Sequence, residues 1–410
     1  MRRAAQVPLT LLFGLLVAAC ADDRKGPTLT APVAVPGGPA NAASAVGTTL
    51  GQPISGLSLA QLAAFNRGKV LFAKTFTQFG GLGPIFNASS CAECHGETQD
   101  VLGGTGDEVE THFSNVRSDG TCDPLTSRGG FVHQDSVTPL LRSATGLTSE
   151  PFPTVAHSRG MRSTPDLFGF GLIAAIPNQA IVNQEDPYDY NYDGISGRAH
   201  YTAAGDIGKF GRKANEGSVT LFNAGALLNE MGITNKFNLS ENNIGGMAIP
   251  YGVDPTPEPE ISGTDFDDLN SFVIFLAPPP TVPLTTQSAT GRDLFSSIGC
   301  VGCHTAQYTT TDVGIAALSY RTVRPFSDFL LHDMGTENLD ICLDKANRRE
   351  FRTEPLMGAR FMEVFMHDGR ASTIQEAIAS HGGEGANSRS RFNSLTLTQQ
   401  AALVAYVNSL

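Results

Sequence analysis

Cys91-Ala92-Glu93-Cys94-His95 and Cys300-Val301-Gly302-Cys303-His304 are the residues of this chain whose types and spacing point most directly to chemistry. Two thiols in a Cys-x-x-Cys run can each add to a vinyl group of a porphyrin, and the adjoining imidazole can turn back onto its iron. Each run therefore reads as the attachment site of one covalently bound haem c, with His95 and His304 as iron ligands. The competing readings are a zinc half-site and a redox disulfide. Both weaken because the two runs share the terminal His and no separate Cys-x-x-Cys pair is left to complete a zinc tetrad.

The elements that must position these runs are visible as repeats. Leu59, Leu62, Phe65 and Phe72 fall on helical spacing between Ser58 and Lys74, a stretch that contains Gly68-Lys69-Val70-Leu71-Phe72. Gly291-Arg292-Asp293-Leu294-Phe295 echoes that phrase just upstream of the second run. A cytochrome c domain opens on such a helix and closes on another packed across it. Thr264 with Asp267 predicts a cap for one closing helix, running through Leu269, Phe272, Val273 and Leu276. Thr396 with Gln399 predicts the other, through Ala402, Leu403, Tyr406 and Val407. Between them Ala277-Pro278-Pro279-Pro280-Thr281-Val282-Pro283 breaks any helix and stiffens the connection. A further echo pairs Arg162-Ser163-Thr164-Pro165 with Arg352-Thr353-Glu354-Pro355. The expected fold is mainly α: two cytochrome c-like domains facing each other, over 57–277 and 285–410, joined by a linker over 278–284. About 170 residues rich in Gly, Asn and Asp separate Cys94 from its closing helix, so the first domain carries a large loop-rich insertion.

Arg2 and Arg3 precede an apolar run from Leu9 to Ala19 that is too short to span a membrane and reads as a secretory signal over 1–19. The run ends in Val17-Ala18-Ala19-Cys20, which resembles the lipobox of bacterial lipoproteins. Cys20 would then be the lipidated N-terminus of a tether over 20–56, and Ala21 favours sorting to the periplasmic face of the outer membrane. The alternative is an ordinary signal with a chance cysteine. About 390 residues remain, enough for two or three cores. A net charge of −12 and a pI near 5.2, with no basic block, argue against nucleic acid and suit a basic electron donor. Cys122 and Cys342 are left over from lipid and haem attachment, and in an exported chain they are candidates for a disulfide.

Longer phrases carry a family resemblance. Phe351-Arg352-Thr353-Glu354-Pro355-Leu356, Met366-His367-Asp368-Gly369-Arg370-Ala371-Ser372-Thr373-Ile374-Gln375-Glu376-Ala377 and His381-Gly382-Gly383-Glu384 resemble bacterial dihaem cytochrome c peroxidases. The closest likeness is to their di-haem oxidoreductase relatives, also labelled thiol oxidoreductases. The resemblance covers about Leu59 to Leu410. It implies one high-potential haem in the C-terminal domain that relays electrons and a second, N-terminal haem that meets peroxide. Met334, in Leu331-His332-Asp333-Met334-Gly335, occupies the place implied for the sixth ligand of the C-terminal iron, with His332 as the alternative and core packing as the plain reading. Methionine opposite histidine would raise the potential.

For the N-terminal haem the resemblance implies Glu230, in Leu228-Asn229-Glu230-Met231-Gly232, as the group that moves a proton between peroxide oxygens. A solvated glutamate at a helix end is the alternative. His157 resembles in position the histidine that caps this iron until reduction, and His112 and His133 are further candidates. The peroxidases place a tryptophan between their haems, whereas this chain has none. Phe210, Tyr201 or direct transfer must serve, which disfavours oxidation of a partner protein at long range. Asp189, Asn191 and Asp193, followed by Gly194, resemble part of an EF-hand loop for calcium. The twelfth position, His200, is not the Glu such a loop wants, so an Asx-rich turn competes.

The function expected is peroxide reduction with electrons from a small periplasmic cytochrome or cupredoxin. The alternatives are a non-catalytic dihaem electron-transfer lipoprotein and an oxidase of an organic or thiol substrate.

Overall fold

The computed structural model describes residues 50–96 and 109–410; the signal segment and Cys20 lie outside them. Among the described residues, helices dominate. In chain order they are α1 (Leu59–Phe72), α2 (Cys91–His95), α3 (Pro139–Thr145), α4 (Phe170–Ala174), α5 (Asn178–Val182), α6 (Val219–Met231), α7 (Gly263–Phe275), α8 (Thr286–Ser297), α9 (Ile374–Ala379), α10 (Ala386–Asn393) and α11 (Leu397–Val407). No helix among the described residues is long and apolar enough to cross a membrane.

The two repeated phrases explain how the long helices meet. α1 crosses α7 at Gly68, where a Cβ would stand 1.9 Å from the Asp268 carbonyl oxygen; α8 crosses α11 at Gly291, where a Cβ would stand 1.9 Å from that of Ala402. Only glycine lets backbone approach backbone this closely. Four residues on, one helical turn away, the phenylalanine of each phrase is buried. Phe72 lies 5.0 Å from Phe272 of α7, and Phe295 lies 5.5 Å from Tyr406 of α11, centroid to centroid. Of the two caps expected, the one at Thr396 is observed, and Ser58 and Thr285 cap α1 and α8 in the same way. Ser58, Thr285 and Thr396 each accept from the third helical residue and are answered by that residue's side chain. For α7 the cap is Ser262 rather than Thr264, because Ser262 is in the extended conformation a cap requires and Thr264 is already helical.

The loop-rich stretch expected after Cys94 contains regular structure. β2 (Val109–Val116) is the centre of a three-stranded antiparallel sheet, with β3 (Cys122–Asp123) on one side and β5 (Ser158–Ser163) on the other. Three two-stranded pairs complete the inventory: β1 (Ile85–Phe86) with β4 (Ser136–Val137), β6 (Tyr308–Thr309) with β7 (Thr322–Val323), and β8 (Leu331–Asp333) with β9 (Glu350–Arg352). The larger hydrophobic core runs past the proline linker, joining Phe65, Phe72 and Phe272 to Tyr308, Phe329 and Met357. A second core gathers Phe295, Phe326, Leu403 and Tyr406. Cys122 and Cys342 form a disulfide across 220 residues, so β3 is tied covalently to the β8–β9 loop.

Because a methyl at Gly291 would collide with backbone rather than with a yielding side chain, Gly291→Ala should lower the unfolding free energy by about 1–3 kcal/mol. Urea denaturation checks this through a lower midpoint at constant slope; an unchanged midpoint would show that the α8–α11 crossing has room for a methyl.

Candidate haem centres and acid site

Cys300, Cys303 and His304 follow α8 through Gly299, whose φ of +97° turns the chain sharply. All three line one deep cavity, whose apolar walls include Phe295, Leu356, Phe365, Ile374 and Leu403. The His304 ring lies 6.0 Å from Phe295, and its Nδ1 donates to the Phe326 carbonyl at 2.8 Å. That bond fixes the tautomer and leaves Nε2 with the lone pair a metal takes. Burial holds His304 neutral, pulling it down to about 4, and pushes the Cys300 thiol up to about 12.

The phrase His381-Gly382-Gly383-Glu384 closes the cavity from the far side, and each residue has a task. The glycines let the loop lie on the Asp333–Gly335 backbone: a Cβ at Gly383 would stand 2.0 Å from the Asp333 carbonyl oxygen, and one at Gly382 would stand 2.6 Å from that of Met334. Glu384 accepts from His332 Nδ1 at 2.7 Å and from the Ser196 amide at 2.9 Å. His332 also meets Asp328 through Nε2 at 2.9 Å, so both its nitrogens are occupied and it is no free ligand. Met334 lines the cavity. So does His381, which received no role from the sequence. Its Nδ1 donates to the Ala377 carbonyl at 2.8 Å, the same anchoring that His304 has. The signal for it was a histidine four residues past Ala377, placed where α9 ends.

The remaining wall is ionic. Arg212 and Arg352 both reach Glu354 Oε2, each at 2.7 Å, with Asp166 beside them. Burial first, and Glu354 second, push Asp166 up to about 7. The Thr353 hydroxyl is buried here without a partner among the described residues. Apolar walls, an imidazole with its Nε2 available, two arginines and an orphaned hydroxyl fit a haem with its carboxylates.

The first run forms α2, capped by Ser90, whose side chain accepts from the Glu93 amide. The His95 ring lies 5.8 Å from Phe72, matching the His304–Phe295 pair. Cys91 is pushed up to about 12 by burial, and its Sγ lies 4.0 Å from Met231 Sδ on α6. Glu230 therefore stands beside this run, as expected. Its Oε2 accepts from Asn87 Nδ2 at 2.9 Å, and it hydrogen-bonds Glu110 of β2. Burial first, then the Glu110 charge, hold Glu230 well above the usual carboxylate range.

The other candidates lie elsewhere. His157 is exposed and its Nδ1 meets Asn115 Oδ1 at 2.9 Å. It follows the strand register past Ser114–Ser158, five residues from Glu110, or about 17 Å along β2. His112 Nε2 is engaged by Glu110, and His133 Nε2 by the Glu150 carbonyl at 2.8 Å. Phe210 is buried, 5.1 Å from Phe170, whereas Tyr201 is exposed. At the calcium-like loop, Asp189 Oδ1 accepts from the Asp193 and Gly194 amides, Asn191 Oδ1 from Asp193, and Asp193 Oδ1 from Ile195. These are Asx turns, and they engage the oxygens that an ion would need. His200 is buried and bonded through Nδ1 to the Lys213 carbonyl at 2.6 Å. Carboxylates do crowd together at Glu241, Asp254, Glu258 and Glu260, where burial and mutual repulsion push Glu241 up to about 9.

A family model described as "Di-haem oxidoreductase, putative peroxidase" matches residues 146–410. The chain belongs to the di-haem oxidoreductase family. The matched region contains Glu230, the second haem run and the His381–Glu384 phrase; Cys91–His95 and Glu110 precede it. The cytochrome c551 peroxidase of Nitrosomonas europaea is 25% identical over 92 residues, which is 22% of this chain and about a quarter (26%) of that protein's length. Among solved structures, hydrazine synthase of Kuenenia stuttgartiensis is 14% identical, with 87% of this chain and 89% of that one covered and a TM-score of 0.41. A MauG-like protein associated with microbial copper homeostasis is 14% identical, with 89% and 94% covered and a TM-score of 0.39. The diheme peroxidase BthA from Burkholderia thailandensis is 16% identical, with 85% and 86% covered and a TM-score of 0.38.

In this di-haem oxidoreductase the two haem regions meet across a buried ion cluster. Arg162 of β5 grips Asp340 with both guanidinium nitrogens, and Lys213, 1% exposed, adds its ammonium at 3.3 Å. These cations hold the Asp340 carboxyl far below its ordinary range against the opposing effect of burial. Asp340→Asn would strand two buried cations and should cost about 3–5 kcal/mol in a chemical denaturation experiment. A loss under about 1 kcal/mol would show that water reaches the cluster.

Proposed function

We propose that this protein is a dihaem c-type oxidoreductase that reduces hydrogen peroxide with electrons from a small periplasmic cytochrome or cupredoxin. Cys91 and Cys94 hold one haem by thioethers with His95 on its iron; Cys300, Cys303 and His304 hold the other. A lipid on Cys20 anchors the chain at the periplasmic face of the outer membrane. The acidic surface, with a net charge of −12, suits a basic donor. When bound, the haems supply the iron that meets peroxide and the redox centre that receives electrons from the donor.

The observation that carries this reading is Glu230. It is a half-buried carboxyl one residue from the thioether that touches Cys91, and desolvation with the neighbouring Glu110 charge favours its protonated form. Peroxide reduction takes two electrons and two protons and gives two waters. The difficult charge is the one that develops on the departing oxygen as the O–O bond breaks. Glu230 in its protonated form can deliver a proton to that oxygen, and Asn87 fixes the carboxyl's direction. Arg212, Arg352 and Thr353 can orient the carboxylates of the C-terminal haem, and the apolar walls keep water from its iron.

For the sixth ligand of the C-terminal iron, the anchored imidazole favours His381 over Met334: its Nδ1 is tied to Ala377 and its ring faces the cavity. A nitrogen ligand there lowers the reduction potential relative to a thioether.

Glu230→Gln should reduce kcat for peroxide by about 10²–10⁴ with haem spectra unchanged, measured by oxidation of a reduced cytochrome donor. A wild-type protein with two low-spin haems indifferent to peroxide in every redox state would leave an electron carrier instead. His381→Ala should convert the C-terminal haem from low to high spin in EPR, whereas Met334→Leu should leave it low-spin. The opposite pattern would return the ligand to Met334.

A further inference from the structure

Glu230 does not face its site alone. Glu110 stands on β2 opposite Arg162 of β5, and its side chain hydrogen-bonds Glu230. Two ionised carboxylates are acceptors only, so one of the pair carries the proton. The surroundings decide which. Among the described residues the donor on Glu230 Oε2 is the neutral Asn87 Nδ2. Glu110 receives His112 Nε2 on its Oε1 at 2.5 Å and is faced by the guanidinium groups of Arg162 and Arg212. His112, two residues along the same face of β2, is held neutral by burial, so its Nε2–H is a donor. The cations and the imidazole donor favour the negative charge on Glu110, and the proton therefore sits on Glu230. Asp340, which faces His112, is already gripped by Arg162 and Lys213.

We infer that Glu110 is a positioning residue for the Glu230 acid: its carboxylate, turned by His112, holds the Glu230 proton in a carboxyl–carboxylate hydrogen bond, so that Glu230 meets the substrate as a donor. The inference rests on the reading of Glu230 as the acid of the peroxide site. It assigns work to a strand, β2, that precedes the family-matched region. Once Glu230 has released its proton, two carboxylates face each other, and their repulsion drives the uptake of the next one. The sign of the coupling is definite. The Glu110 charge raises the pH at which Glu230 ionises, and removing that charge must lower it.

Infrared spectra of the intact haem-loaded protein, titrated from about pH 5 to about pH 10, test this without reference to turnover. The wild type should show the carbonyl stretch of a buried protonated carboxyl that persists above neutrality and is missing in Glu230→Gln. In Glu110→Gln the band should vanish at a pH at least about one unit lower, and the alkaline limb of the peroxide kcat profile should move down with it while KM is unchanged. His112→Gln should shift the band's frequency, and Glu110→Asp, which keeps the charge, should restore part of the shift in pH. A band that titrates at the same pH in Glu110→Gln as in the wild type, or one that survives in Glu230→Gln, would overturn the inference. If Glu230→Gln keeps full peroxide turnover, the reading of Glu230 as the acid falls, and the band shift still decides whether the two carboxyls share a proton.

Discussion

The rest of the structure depends on bare backbone at two helix crossings. A Cβ on Gly68 or Gly291 would lie inside the carbonyl of the opposing helix, so each pair of helices can reach its working separation only with glycine there. That separation brings the phenylalanine one turn later against both the partner helix and the histidine of the haem run. Phe72 touches Phe272 and His95; Phe295 touches Tyr406 and His304. The haem runs inherit their position from this contact, because α2 and the Cys300 turn are themselves too short to hold one. Repeating the device in both halves of the chain gives two imidazoles with the same support.

Polar groups then divide the work according to what surrounds them. Where cations are close, as at Asp340 and Glu354, burial fails to keep a carboxyl neutral. Where they are absent, as at Glu241, burial and like charge win and the proton stays. Burial lifts both Glu230 and Glu110 above the usual carboxylate range, and Glu230 the further, since Glu110 faces the opposing charges of Arg162 and Arg212.

Much of this was legible in the sequence wherever the determining partners are local. The Gly-x-x-x-Phe echo, the Thr396–Gln399 cap and the haem runs each act within one or two helical turns, and the structure shows the first two as expected. The α7 cap misled because Ser262 and Thr264 are both capping types, and only backbone conformation separates them. Glu110 was invisible because its role depends on a sheet that pairs it with Arg162 and on a helix more than a hundred residues away. His381 stood inside a recognised phrase, yet its use depends on which carbonyl anchors its Nδ1, a fact of ring orientation rather than residue type. His157 lay close to Arg162 in sequence, but the extended β5 strand carried it to the far end of the sheet.

The Cys122–Cys342 disulfide and the Arg162–Asp340 grip join the same two pieces, the β2 sheet and the loop that follows β8, through loop residues two positions apart. The loop is thereby fastened to the sheet twice, once covalently through β3 and once ionically through β5. Electron tunnelling decays exponentially with gap width, so a breathing joint would make transfer erratic, whereas a welded one sets the gap once, when the chain folds. In such a molecule the two fastenings tie the sheet to the loop, and changes of state fall to the side chains and loops they leave free.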